Sequence, residues 1–220
     1  MDMTMGRNEV ICSVMENKIV AIMRKVPADK FADTVEALYR GGIRMMEVTF
    51  DPEGKMPEQE TLKQIRHIAD NYEHVLAGAG TVLTVEQVEK AKEAGARYII
   101  SPNTDERVIK ATIERGLVSM PGAFTPSEAV NAHLWGADFV KLFPIGRLGS
   151  GYVKDIAAPL SHIRFLAVGG VHEGNLREYL DAGCVGAGIG SSLVDKKLIL
   201  AGQFDELAAR AAKFAEAALK

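Results

Sequence analysis

Eight short apolar runs recur along this chain at roughly 20 to 30 residue intervals, each followed by a segment with helical periodicity. The runs cover 19–24, 45–50, 75–80, 98–101, 117–122, 139–144, 165–170 and 185–190. Helical patterns fall at 29–39, 60–69, 85–94, 106–115, 126–135, 152–160, 173–182 and 204–218; the first places Phe31, Val35 and Leu38 on one stripe. Helix starts are marked by capping residues: Thr84, Thr104 or Asp105, and Thr125 before Pro126. Helix ends are marked by glycines: Gly41, Gly95, Gly116, Gly136 and Gly183. This repeated βα grammar predicts an α/β fold, a (β/α)8 TIM barrel occupying residues 1–220 as a single domain. Residues 1–17 precede the first run as a leading tail and an extra N-terminal helix over 11–17. An open doubly wound sheet is the competing arrangement, but the first run ends Ile22-Met23-Arg24-Lys25, without the GxGxxG turn of a dinucleotide fold.

The size fits that reading, since 220 residues at 47% hydrophobic can bury a full core. A net charge of -3 with no long Lys/Arg block argues against nucleic acid and anionic membrane surfaces as partners. Cys12 and Cys184 form no metal or disulfide spacing, and no stretch is apolar for the length of a membrane span. Met1 to Gly6 lacks the cationic start and apolar core of a secretory signal. These features lead us to expect a cytoplasmic protein with small-molecule partners.

Catalytic groups of such barrels cluster at the C-terminal ends of the strands. The sixth run places Lys141 between Phe139 and Phe143 on one strand face. Burial there lowers an amine pKa, as a lysine that attacks a carbonyl requires; an ion-paired or snorkelling lysine is the structural alternative. Glu47 and Thr49 share inward parity with Met45, and Glu47 can serve either as counter-ion or as proton carrier for imine chemistry. Arg24 and Thr81 offer a cation and a hydroxyl, while Ser101-Pro102 and Phe143-Pro144 close their strands. Gly169-Gly170 and Gly190-Ser191, after neighbouring strands, suit close backbone approach to a phosphate where a short helix begins at Ser191 or Ser192. The five histidines show no paired ligand spacing, so neither a metal site nor a cofactor is expected; His172 alone lies near the strand ends.

Glu47-Val48-Thr49, Gly78-Ala79-Gly80-Thr81-Val82-Leu83, Ser101-Pro102, Pro121-Gly122, Lys141-Leu142-Phe143-Pro144, Gly169-Gly170 and Gly190-Ser191 together resemble, in order, the 2-keto-3-deoxy-6-phosphogluconate (KDPG) and 4-hydroxy-2-oxoglutarate (KHG) aldolase family. The resemblance implies a metal-free class I aldolase of carbohydrate metabolism, of the Entner-Doudoroff type, working as a homotrimer of barrels. It implies cleavage of a 2-keto-3-deoxy-6-phospho sugar acid to pyruvate and glyceraldehyde 3-phosphate, and also of KHG to pyruvate and glyoxylate. By this likeness Lys141 forms the pyruvate Schiff base and Glu47 is the general acid/base. Thr81 binds the pyruvyl part; Arg24, Gly169, Gly170 and Ser191 surround the phosphate; Thr49, Pro102, Phe143 and Gly190 complete the substrate site.

The sequence departs from the family pattern Glu-Val-Thr-Leu-Arg, reading Glu47-Val48-Thr49-Phe50-Asp51. An aspartate cannot hold a substrate carboxylate as the arginine would, although Asp51-Pro52 suits a turn. Lys55 and Arg147 are the nearby candidates to replace it. Asn103 and the 167–171 segment are similar to the branch acting on the galactonate epimer. Two other classes stay open: a phosphosugar isomerase or epimerase, which needs no imine, and a non-catalytic phosphometabolite-binding barrel.

Overall fold

The computed structural model describes residues 6–219. Its strands are β1 (Ile19–Met23), β2 (Met45–Thr49), β3 (Leu76–Gly80), β4 (Tyr98–Ile100), β5 (Val118–Met120), β6 (Gly122–Ala123), β7 (Val140–Leu142), β8 (Phe165–Val168) and β9 (Cys184–Ile189). All pair in parallel, in the order β5-β4-β3-β2-β1-β9-β8-β7-β6.

The first and last of these strands are two pieces of one predicted run. Pro121 has no N–H to donate, which interrupts the ladder between them. The run still bonds both neighbours: Ser101 N donates to Met120 O at 3.3 Å and Lys141 N donates to Pro121 O at 2.8 Å. The ring is therefore closed, and the eight predicted strands are its staves.

The helices are α1 (Arg7–Asn17), α2 (Ala28–Arg40), α3 (Glu58–Asn71), α4 (Val85–Glu93), α5 (Glu106–Glu114), α6 (Pro126–Leu134), α7 (Gly149–Ala157), α8 (Leu176–Asp181), α9 (Lys196–Ala201) and α10 (Phe204–Leu219). Thr84, Asp105 and Thr125 cap α4, α5 and α6, Thr125 in a reciprocal box with Glu128. The glycines at 95, 116, 136 and 183 all take positive φ, as helix-ending residues do. Gly41 differs: its φ is -75°, and Gly42 makes the left-handed turn. Residue 41 is held to glycine by packing instead, since a Cβ there would lie 2.3 Å from Ala211 Cβ on α10.

Four helices depart from expectation, one of them α7, which lies three residues earlier at each end than the predicted 152–160. α1 starts at Arg7, four residues earlier than predicted, and Arg7 pairs with Asp138 at 2.7 Å; tail residues 1–5 lie outside the described residues. α8 starts at Leu176 because Asn175 Oδ1 accepts from His172 N at 2.7 Å and holds the preceding residues in a turn. α9 was not anticipated; six residues capped by Asp195 are too short to display a period.

Alternation along the strands makes two cores. Outward side chains pack under the helices, while Val20, Met45, Leu76, Tyr98, Val118, Phe139 and Leu166 fill the inside of the ring at the strands' N-terminal ends. Val10 and Val14 of α1 join this inner cluster, so α1 floors the barrel. Among the described residues no helix is long and apolar enough to cross a membrane.

Candidate active site

Above that inner layer the barrel carries charge. Lys141, in the middle of β7, is 7% exposed, and its Nζ lies 4.7 Å from the Phe143 ring centroid. Phe139, the other aromatic of its strand face, belongs to the packed floor below. Burial lowers the Lys141 pKa; the Glu47 charge opposes that shift and the Arg24 charge adds to it. The amine is thus moved toward the neutral form that attacks carbonyl carbon.

Glu47 is buried on β2, in register with Ile22 of β1 and Gly78 of β3. Burial raises its carboxyl to about 7, against the opposing pull of Lys141 and Arg24. Its Oε2 has no hydrogen-bond partner among the described residues. A group poised near neutrality, with an oxygen unspent, is suited to give and take protons.

The two meet in one cavity of about 230 Å³ at the C-terminal mouth of the barrel. Its wall includes Arg24, Thr81, Pro102, Phe143, Gly169, Gly170, Gly190 and Ser191 together with Glu47 and Lys141. Thr49 is the exception among the residues that the family resemblance places in the site. It has the expected inward parity but is 1% exposed, its hydroxyl is buried without a partner, and it does not line the cavity.

Local backbone sets these groups in place. Thr81 has φ +57°, unusual for a β-branched residue and costing of order 1–3 kcal/mol. The chain around it is tied to β4: Val82 N donates to Ile100 O at 3.2 Å, and Ser101 Oγ donates to Val82 O at 2.8 Å. Thr84, not Thr81, caps the following helix, which leaves the Thr81 side chain on the cavity wall. Gly169 and Gly170 have φ of +88° and +82°. Gly146 N donates to Gly169 O at 2.7 Å, holding this turn against the loop that follows β7. Beyond β9, Leu193 N and Val194 N close a turn onto Gly190 O, at 2.9 and 2.8 Å. The short helix expected at Ser191 instead begins at Lys196, and Ser191 sits in that turn.

Asp51 is spent on structure. Its carboxylate pairs with Lys25 at 3.0 Å and accepts from Glu53 N at 3.2 Å and Met56 N at 3.0 Å, the turn its Asp-Pro sequence predicts. Burial pushes its carboxyl up, but the Lys25 hydrogen bond and the Met56 and Glu53 N–H groups outweigh burial and hold it low. Neither suggested substitute for an arginine reaches the cavity. Lys55 pairs with Glu53 at 2.9 Å, and Arg147 lines a separate cavity across the Gly169-Gly170 turn. His172 lines a groove with Arg210 and Lys213, outside the cavity.

The sequence model of the family described as KDPG and KHG aldolase matches residues 10–210. The chain belongs to the KDPG and KHG aldolase family. It is accordingly an aldolase, a carbon–carbon lyase of the class I type. The aldolase is 37% identical over 177 residues to 2-dehydro-3-deoxy-6-phosphogalactonate aldolase of Escherichia coli (strain K12), covering 80% of this chain and 83% of the relative. It is 37% identical over 194 residues to 2-dehydro-3-deoxy-phosphogluconate aldolase of Treponema pallidum (strain Nichols), covering 86% of this chain and 90% of that one. A solved structure described as native KDPGal superposes with a TM-score of 0.80 at 36% identity, over 90% of this chain and 93% of the other.

Sequence reasoning missed Ile22, Val168, Val171 and Gly188, which complete the aldolase cavity together with Ser192, the alternative to Ser191 in the sequence reading. Two of them carried a usable signal: Ile22 shares inward parity with Arg24, and Gly188 with Gly190.

Proposed function

We propose that this aldolase cleaves a 2-keto-3-deoxy-6-phospho sugar acid of the gluconate type to pyruvate and glyceraldehyde 3-phosphate, with Lys141 as nucleophile and Glu47 as general acid/base. The observation that carries the reading is that Lys141 and Glu47, both buried, line one cavity at the barrel mouth, where burial lowers the lysine pKa and raises that of the glutamate. The neutral Lys141 amine adds to the C2 carbonyl, and loss of water gives an iminium. Glu47 moves the protons of that dehydration and takes the proton of the C4 hydroxyl. The C3–C4 bond then breaks, its electron pair passing to the iminium as an enamine while the aldehyde departs. Protonation at C3 and hydrolysis of the imine release pyruvate and restore the lysine.

Thr81, Pro102 and Phe143 border the pyruvyl end of the substrate in this reading. Arg24, Gly169, Gly170, Gly190 and Ser191 receive the phosphate, through one cation, a hydroxyl and closely approachable backbone. Thr49, sealed from the cavity, acts only through Glu47 on the same strand face. KHG, which lacks the phosphate, is a second substrate. A cytoplasmic homotrimer of single-domain barrels is the assembly we infer, checked by light scattering for a mass about three times the 23.8 kDa of the chain.

The galactonate epimer is a second reading. The likeness of Asn103 and the 167–171 segment to the galactonate branch favours it, and assay of both epimers separates the two. The decisive test of the chemistry is intact-mass analysis after incubation with pyruvate and borohydride, with peptide mapping. One reduced pyruvate adduct on Lys141 is expected. Absence of an adduct on folded protein in excess pyruvate would remove Lys141 as the nucleophile.

A further inference from the structure

Below Glu47 the barrel buries a hydroxyl that the proposed chemistry leaves idle. Tyr98, the first residue of β4, is fully buried, and its hydroxyl oxygen has no partner among the described residues. Its ring lies over β3 at Gly78, where a Cβ would stand 2.0 Å from Tyr98 Cε2. Gly78 is in register with Tyr98 on one side and with Glu47 on the other. The phenol thus extends through the gap left by a missing side chain, toward the strand that carries the glutamate. There Glu47 Oε2 is also buried without a partner.

We propose that Tyr98 is a positioning residue for the aldol cleavage, its hydroxyl hydrogen-bonding the Glu47 carboxylate through one bridging water. The inference rests on the acid/base reading of Glu47. An O–H donor to a carboxylate favours the ionised form and fixes its orientation. The cations facing Glu47 are Lys141 from β7 and Arg24 at the end of β1; β3 presents only Gly78 and Gly80, and β4 presents Tyr98. Burial, with the Glu47 charge adding, pushes the phenol well above its ordinary range, so it remains a donor wherever the enzyme works.

Tyr98→Phe tests this, because the phenylalanine ring keeps the same place over Gly78 and only the hydroxyl is lost. We expect the acid limb of the kcat–pH profile to move up by about half to one unit, with kcat at pH 7 falling a fewfold and KM nearly unchanged. A purely structural tyrosine would lower thermal stability and leave the profile in place, and that result overturns the proposal. Glu47→Gln run alongside separates the two levels. If it is inactive while Tyr98→Phe matches wild type, only the role of Tyr98 fails; if it stays active, the acid/base reading fails and the Tyr98 proposal with it.

Discussion

Gly80 and the Glu47 carboxylate claim the same space: a Cβ on residue 80 would lie 1.6 Å from Glu47 Oε1 and 2.3 Å from its Cδ. The glycine on β3 is what allows a carboxylate on β2 to lie across the barrel mouth. Gly80→Ala should therefore displace Glu47, lowering kcat on the order of 100-fold in a protein that still folds. Steady-state kinetics beside a far-ultraviolet circular dichroism spectrum checks this, and wild-type kcat in the folded variant would refute it.

The raised Glu47 carboxyl makes a stability prediction with a definite sign. Folding lifts its pKa from 4.5 to about 7, so between those values the folded protein binds a proton that the unfolded chain has released. Stability from this group is complete below pH 4.5 and is lost as pH rises through about 7. Glu47→Gln lacks that loss. Relative to wild type it should gain on the order of 3–4 kcal/mol between acid and mildly alkaline solution, at roughly 1.4 kcal/mol per unit of pKa shift. Urea titrations of both proteins at the two ends of the range measure it.

Arg24 and Ser191 line the cavity with the glycine turns, so removing either should affect a phosphorylated substrate selectively. Arg24→Ala and Ser191→Ala should each raise KM for the phospho sugar acid by roughly tenfold or more, at the scale of a hydrogen bond to a charged group. KM for KHG, which has no phosphate, should stay within twofold or so. Equal losses for both substrates would place these residues elsewhere in the reaction.

Gly41 sits far from the chemistry, where a Cβ would stand 2.3 Å from Ala211 Cβ and 2.6 Å from Ala208 O on α10. Gly41→Ala should cost about 1–3 kcal/mol by forcing α2 and α10 apart. The same variant should keep its kcat, and thermal melts with kinetics test both halves.

Much of the architecture was legible because it rests on periodicity. Apolar runs marked the strands, and parity along β2 and β7 brought Glu47 and Lys141 inward together. What escaped depends on groups far apart in the chain. Nothing local distinguishes Thr49, sealed from the cavity, from a threonine on its wall. Thr81 adopts a left-handed backbone that its residue type disfavours, and only the bonds from Val82 and Ser101 to neighbouring chain hold it there. Tyr98 looked like an ordinary strand residue until the register placed Gly78 beside it. α9 and the break at Pro121 are too short to leave a pattern.

The helix α1 that floors the barrel turns the active site into a cul-de-sac. Substrate and both products must use one doorway. In the proposed reaction pyruvate is held by the imine on Lys141 and cannot depart until water has cut it. The aldehyde is therefore released first and pyruvate last, and in the synthetic direction pyruvate must enter before the aldehyde. With one doorway and a covalently held pyruvate, the expected kinetic mechanism is ordered.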